Sequence, residues 1–222
     1  MARARTDKRT PVIAPVSWDD LTDADTDGLV PDDLLEARRY SGADISGQDL
    51  SGIRFTECEL LGLVAHDAQL TNARFMHTRF ERLNAASLKV PRTTWQDVRI
   101  EGSRLGAVEM YEAGLRSVVI RDSRLSWLNL RGATLRDVVF EGCVLSELDL
   151  TEARAERVAF RDCRVESIRF DHARLKHVDL RGLELATISG IDGMAGTIVS
   201  SAQSAYLAEL LAAQLGITVE DE

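Results

Sequence analysis

Aromatic residues make up only 5% of this 222-residue chain, and there are three cysteines with no Cys-x-x-Cys pair among them. The first shortage argues against one large core built around aromatic side chains. The sequence is 45% apolar and rich in Leu, Ala and Arg, which suits many small repeated contacts. The second shortage excludes a disulfide framework and points to a reducing cytoplasm. The basic start, with Arg3, Arg5, Lys8 and Arg9, is not followed by an apolar stretch of signal-peptide length, and no run is long enough to span a membrane. There is no phosphate-binding loop, no Gly-x-Ser-x-Gly elbow and no dinucleotide fingerprint. Gly193-Met-Ala-Gly196 lacks the lysine and the spacing that cradle a phosphate. The expectation is a chain with no catalytic, cofactor-binding or metal-binding residues, no cofactor and no small-molecule substrate.

What the sequence does contain is a period of five. Every fifth residue from Ile45 to Leu185 is apolar, 29 positions without one polar side chain. A helix repeats at 3.6 and a strand at 2, so a period of five requires the chain to turn every five residues. The position two residues before each of these shows a second pattern. From Leu88 onward it alternates large with small: Leu88, Val98, Val108 and Val118 against Thr93, Ser103, Ala113 and Ser123, and so on to Val178.

Ser41-Gly-Ala-Asp-Ile45, Ala73-Arg-Phe75, Ala133-Thr-Leu135 and Ala173-Arg-Leu175 carry a resemblance to the A(D/N)LXX unit of the pentapeptide-repeat family, over about two thirds of the chain. The resemblance implies an all-β solenoid, a right-handed quadrilateral β-helix in which four pentapeptides make one coil and both patterned positions point inward. Residues twenty apart then stack, and 29 units make about seven coils, a rod of about 35 Å at the spacing of paired strands. Phe55, Phe75 and Trp95 fall in one column, Phe140 and Phe160 in another, and Cys143 beside Cys163, all read as core filling. His66, His77, His172 and His177 point outward. The large/small alternation reverses phase between Leu83 and Leu88, beside Lys89-Val-Pro-Arg92, where Pro91 removes a donor. This predicts a kink or widened corner over residues 83–93.

The ends read differently. Residues 1–16 are polar and Pro-containing and are expected to be a disordered tail, with 17–40 an acidic, partly helical lead-in and cap. The repeat occupies 41–187, and 188–222 form a C-terminal cap with an acidic tail. There Ser200-Ser-Ala-Gln203 reads as a capping box opening a helix over about 201–215. Its apolar band, Tyr206, Leu207, Leu210, Leu211 and Leu215, resembles the C-terminal helix through which family members dimerise, so a homodimer is expected on those residues. Asp23-Ala-Asp25-Thr-Asp27-Gly28 copies the start of a calcium-binding loop, but Leu34 stands where the closing glutamate belongs, and a solvated or helix-capping run is the plainer reading.

The partner is where the sequence says least. The family includes members that protect DNA gyrase from quinolones and are thought to imitate the negative surface of duplex DNA; the resemblance therefore sets a modulator of a type II topoisomerase beside a rigid scaffold for an unknown protein as the two alternatives. The net charge of −9 sits mostly in the ends: residues 188–222 hold five acids and no base, whereas 41–187 hold 22 acids and 21 bases. One face of the rod is basic, with Arg116, Arg136, Arg154, Arg157, Arg174 and Lys176. The next is the acidic candidate, with Asp49, Glu109, Glu112, Asp149, Glu152 and Asp171. Its charge density falls well below the one charge per roughly 1.7 Å of duplex DNA.

Overall fold

In a computed structural model, which describes residues 8–220, the chain winds as a right-handed quadrilateral solenoid of parallel strands, about nine turns long. Neighbouring coils pair at an offset of twenty: Leu105 opposite Leu125, Leu125 opposite Leu145, Leu145 opposite Val165. Main-chain bonds run both up and down the rod. The Leu50 N–H donates to the Gln69 carbonyl at 2.8 Å, and the Arg54 N–H donates to the Asp33 carbonyl at 2.8 Å.

A 13-stranded sheet covers two adjacent walls, and a 7-stranded sheet covers the third. The fourth wall, centred on residues such as Leu50, Val90, Leu130 and Phe170, is made of turns, yet those four side chains are buried like the rest. Every fifth residue from Ile45 to Val165 lies in the core. The aromatic columns form as the spacing requires: Phe55 stacks on Phe75 at 5.7 Å, Phe75 on Trp95 at 4.2 Å, and Phe140 on Phe160 at 4.9 Å with only 8° between the rings.

The buried Ser103, Ser123 and Cys163 side chains bond from one coil to the next. The Ser103 hydroxyl donates to the Glu101 carbonyl and accepts the Leu83 N–H from the coil before. Ser123 repeats this, donating to Arg121 and accepting from Ser103. Cys163 takes the same post with sulfur, its thiol toward the Arg161 carbonyl at 3.2 Å and accepting the Cys143 N–H at 3.4 Å. The hydrogen bond to Cys163, and burial after it, push the Cys143 thiol up, which keeps it protonated and unreactive.

Three expectations need correction. First, the ladder runs unbroken through 83–93: Asn84–Lys89 pairs with Arg104–Glu109 at the usual offset. Pro91 costs nothing because its position contributes no ladder donor. At the equivalent corners two and three coils away, the N–H of Ser51 donates to Asp49 and that of Thr151 to Asp149. What changes there is the corner itself. Up to Arg82 every corner holds a left-handed residue, among them Gly62, Asp67, Asn72 and His77. From Ser87 on, one corner in four is flat, and single strands such as Arg104–Glu109 and Arg124–Asn129 run through it. The inward residue that follows grows at the same point, from Gln48 and Ala68 to Leu88.

Second, the rod is longer than about seven coils. The deepest stack holds ten strands, beginning with Thr22–Ala24 paired to Arg38–Ser41 and ending with Thr197–Ile198. The lead-in is therefore built of short strands, with no helix between residues 17 and 40. Its aspartates close turns instead: Asp20 and Asp32 sit at φ 59° and 65°, and the Asp33 carboxylate accepts the Val30 N–H. Three-residue strands at this end leave little edge for another sheet to join.

Third, residues 8–16 do not hang free; they lie along the outside of the rod (residues 1–7 of the expected tail, and Asp221 and Glu222 of the acidic one, lie outside the described residues). The Val12 N–H donates to Asp137 at 2.9 Å and the Ala14 N–H to Ser117 at 3.0 Å.

At the other end the cap forms as read. The helix spans Ser201–Gln214, and Ser200 and Gln203 make a reciprocal capping box. Gln203 does a second job, its amide donating to the carbonyls of Leu180 and Leu183 at 2.7 and 2.9 Å, so one side chain closes both the helix and the last coil.

Candidate protein-interaction surface

The outward residues of each wall sit on a rigid lattice, so their roles follow from column and exposure. On the basic wall, Arg54 pairs in register with Arg74, Arg116 with Arg136, and Arg154 with Arg174. All six are exposed. Arg54, Arg74, Arg116, Arg154 and Arg174 make no ion pair among the described residues, and Arg136 reaches Asp137 at 3.7 Å. Lys176 pairs with Glu156 at 3.0 Å. Arg157 does not belong to the exposed set: it is half-buried at the corner and donates twice to Asp137, at 2.6 and 2.7 Å. That bond lifts the guanidinium above its ordinary range, against the opposing cost of burial.

The acidic candidates divide in two. Asp49 and Asp149 are turn-formers, each accepting the N–H two residues on, from Ser51 and Thr151, and Asp149 is only 4% exposed. Hydrogen bonds from Ser51 hold the Asp49 carboxyl below its usual value. Glu109, Glu112, Glu152 and Asp171 make no ion pair among the described residues. Glu112 and Glu152 lie two coils apart with Gly132 between, a charge every ~10 Å. Duplex DNA is several times denser.

The C-terminal band also divides. Leu207 and Leu210 pack against the core and the Tyr206 hydroxyl donates to the Ala186 carbonyl at 2.6 Å, whereas Leu211 and Leu215 are 44% and 74% exposed. Ile217 and Val219 extend that exposed apolar edge. In the acidic lead-in, Asp23 lies in a strand, 3.7 Å from Arg39, and no group of three or more metal-ligating side chains converges among the described residues. Among the described residues no helix is long and apolar enough to cross a membrane.

A surface that periodicity did not reveal lies on the wall after the arginines. In the outward column Arg99, Val119, Val139, Ala159 and Asp179, three successive members are apolar and buried, at 7%, 2% and 6% exposure. Reading the sequence every twenty residues rather than every five would have exposed it.

Two family models match the chain: a pentapeptide repeat region over residues 115–189 and pentapeptide repeats in eight copies over residues 41–76. No curated protein matches. Among solved structures, the chain is similar to QnrB1, a plasmid-mediated fluoroquinolone resistance protein. A trypsin-treated variant of it is 21% identical, with 89% of this chain and 95% of that one covered at a TM-score of 0.35, and the full-length form is 18% identical, with 85% and 94% covered at 0.30. The five-residue register, the filled square interior and both matching models assign the chain to one family, and it belongs to the pentapeptide-repeat proteins.

Proposed function

We propose that this chain is a rigid protein-binding rod that acts in the cytoplasm by docking, not by catalysis, and that its basic wall is the docking face. One observation carries the reading: three pairs of arginines stand exposed and directly opposite one another at coil spacing. Like charges so placed are unfavourable. An acidic protein surface laid across the wall removes that repulsion. A charge-reversed double variant, Arg116→Glu with Arg136→Glu, should weaken capture of the partner from the native host by about 10- to 100-fold while a Glu112→Lys, Glu152→Lys variant captures it normally. Equal capture by both variants would exclude the basic wall.

The alternative is a modulator of DNA gyrase or another type II topoisomerase acting through Glu109, Glu112, Glu152 and Asp171, which are unpaired among the described residues. Supercoiling assays with and without a fluoroquinolone separate the two. Inhibition or protection at micromolar protein that is lost in Glu112→Lys, Glu152→Lys favours the mimic, and no effect removes it.

We also propose that two rods pair through the outer edge of the helix, Leu211 and Leu215, with Tyr206, Leu207 and Leu210 behind it. Light scattering should give a dimer mass for the wild type at micromolar concentration and a monomer for Leu211→Glu with Leu215→Glu. A monomeric wild type ends the idea.

A further inference from the structure

The apolar column on the outer wall is buried because an earlier segment of the chain covers it. Residues 9–18 run along the rod axis against the coils, from beside Arg161 to beside His77. Val12 engages Asp137, Ala14 engages Ser117, and the Trp18 indole N–H donates to the His77 carbonyl at 2.7 Å. Successive contacts at 12, 14 and 18 meet residues 137, 117 and 77, so two residues of the segment span each coil. Pro11, Ile13, Ala14, Val16 and Trp18 are half-buried while Val12, Pro15 and Ser17 are exposed, a near-alternating pattern with the inner side on the Val119–Val139–Ala159 stripe.

The wall is equipped for a peptide main chain in particular. Asp137 and Ser117 accept N–H groups, and the Arg99 guanidinium donates to the Ala14 carbonyl. None of these contacts reads a side chain of the segment. Arg79 stands over the Trp18 ring at 5.9 Å. The segment crosses the strands instead of lying beside one, so it joins no ladder and its bonds to the coils from Val12 and Ala14 are to side chains. It also fits loosely: a space of about 290 Å³ remains between Ile13, Val16, Trp18 and the wall. A second of about 490 Å³ lies by Arg9, Thr10 and Pro11.

We propose that this outer wall is a recognition channel for an extended peptide with apolar side chains on one edge, and that residues 9–18 are its resident occupant, a displaceable strap that keeps the channel closed in cis. The channel lies on a different wall from the arginine pairs and its test does not depend on them. Unfilled space and acceptors aimed at main-chain groups are what a replaceable ligand needs. A structural staple would be tightly packed.

Two variants of the full chain test it. Ile13→Asp disables the strap and leaves the channel intact; Val139→Arg blocks the channel and leaves the strap sequence intact. Hydrogen exchange of the Val12 and Ala14 amides should speed up by about tenfold or more in both, with coil amides unchanged. A labelled synthetic peptide of residues 9–18 should bind the Ile13→Asp chain at least about tenfold more tightly than the wild type, because only there is the channel vacant. It should not bind Ile13→Asp combined with Val139→Arg. Equal binding to wild type and Ile13→Asp, or binding that survives Val139→Arg, overturns the proposal, as does unchanged exchange in both single variants.

Discussion

Replacing Phe140 with alanine is expected to lower the unfolding free energy by about 3–5 kcal/mol, among the largest losses available to a single truncation. The ring is 0% exposed and lies flat on Phe160 at 4.9 Å. Its other axial neighbour in the column is Ile120. Nothing can close the hole: each coil is fixed by main-chain bonds to the coils on both sides, so the walls cannot move inward as a loosely packed helix might. Phe160→Ala should cost a similar amount, and the double variant less than the sum, because the two cavities merge. Urea denaturation measures all three. A loss below about 1 kcal/mol for Phe140→Ala would mean that the coil collapses around the gap, against the close packing described above.

The second large effect turns on the sign of a glycine-to-alanine change. In a permitted backbone region this change stabilises by about 0.4–1 kcal/mol through the unfolded chain. Gly114 meets that condition, with nothing within 4 Å of where a Cβ would sit. Gly106 does not: its Cβ would lie 2.0 Å from the Ala86 carbonyl oxygen. That oxygen cannot retreat, since Ala85 and Ser87 on either side are paired to Leu105 and Ala107. Gly106→Ala is expected to destabilise by about 2–3 kcal/mol and Gly114→Ala to stabilise. Two alanines eight residues apart, on opposite walls, should therefore move the melting temperature in opposite directions. A neutral Gly106→Ala would show that the corner next to it can shift.

Most of the fold was legible because a five-residue period is local: Phe55, Phe75 and Trp95 had to stack once twenty residues made a coil. The capping box at Ser200 and Gln203 was equally local. The change in large/small phase at Leu83 and Leu88 marked a real change of corner, but Pro91 misdirected its interpretation, because the ladder does not use that donor. The lead-in was misread as helical since its Asp-rich composition suits helix starts and left-handed turns alike, and its first strand pairs at an offset of sixteen, Ala24 with Tyr40, outside the register. The strap was invisible for a different reason. Its partners Ser117 and Asp137 are set by the stacking of distant coils, and only the apolar run Val119, Val139 and Ala159 at outward positions hinted at a cover. Docking residues were the least legible part. Exposure separates Arg116 from Arg157, and turn-making separates Asp149 from Glu152, and neither property shows in a charge count.

The strap also fixes an order of events during synthesis. Val12 and Ala14 leave the ribosome well ahead of Asp137 and Ser117, the groups that accept their N–H bonds, which lie 125 and 103 residues later. At about 5–20 residues per second, the nascent segment waits roughly 5 to 25 seconds for those two acceptors. Coils can stack one on another throughout that interval, so full closure of the strap comes late in biogenesis, and a nascent chain stalled before residue 117 lacks both groups that accept the Val12 and Ala14 N–H bonds.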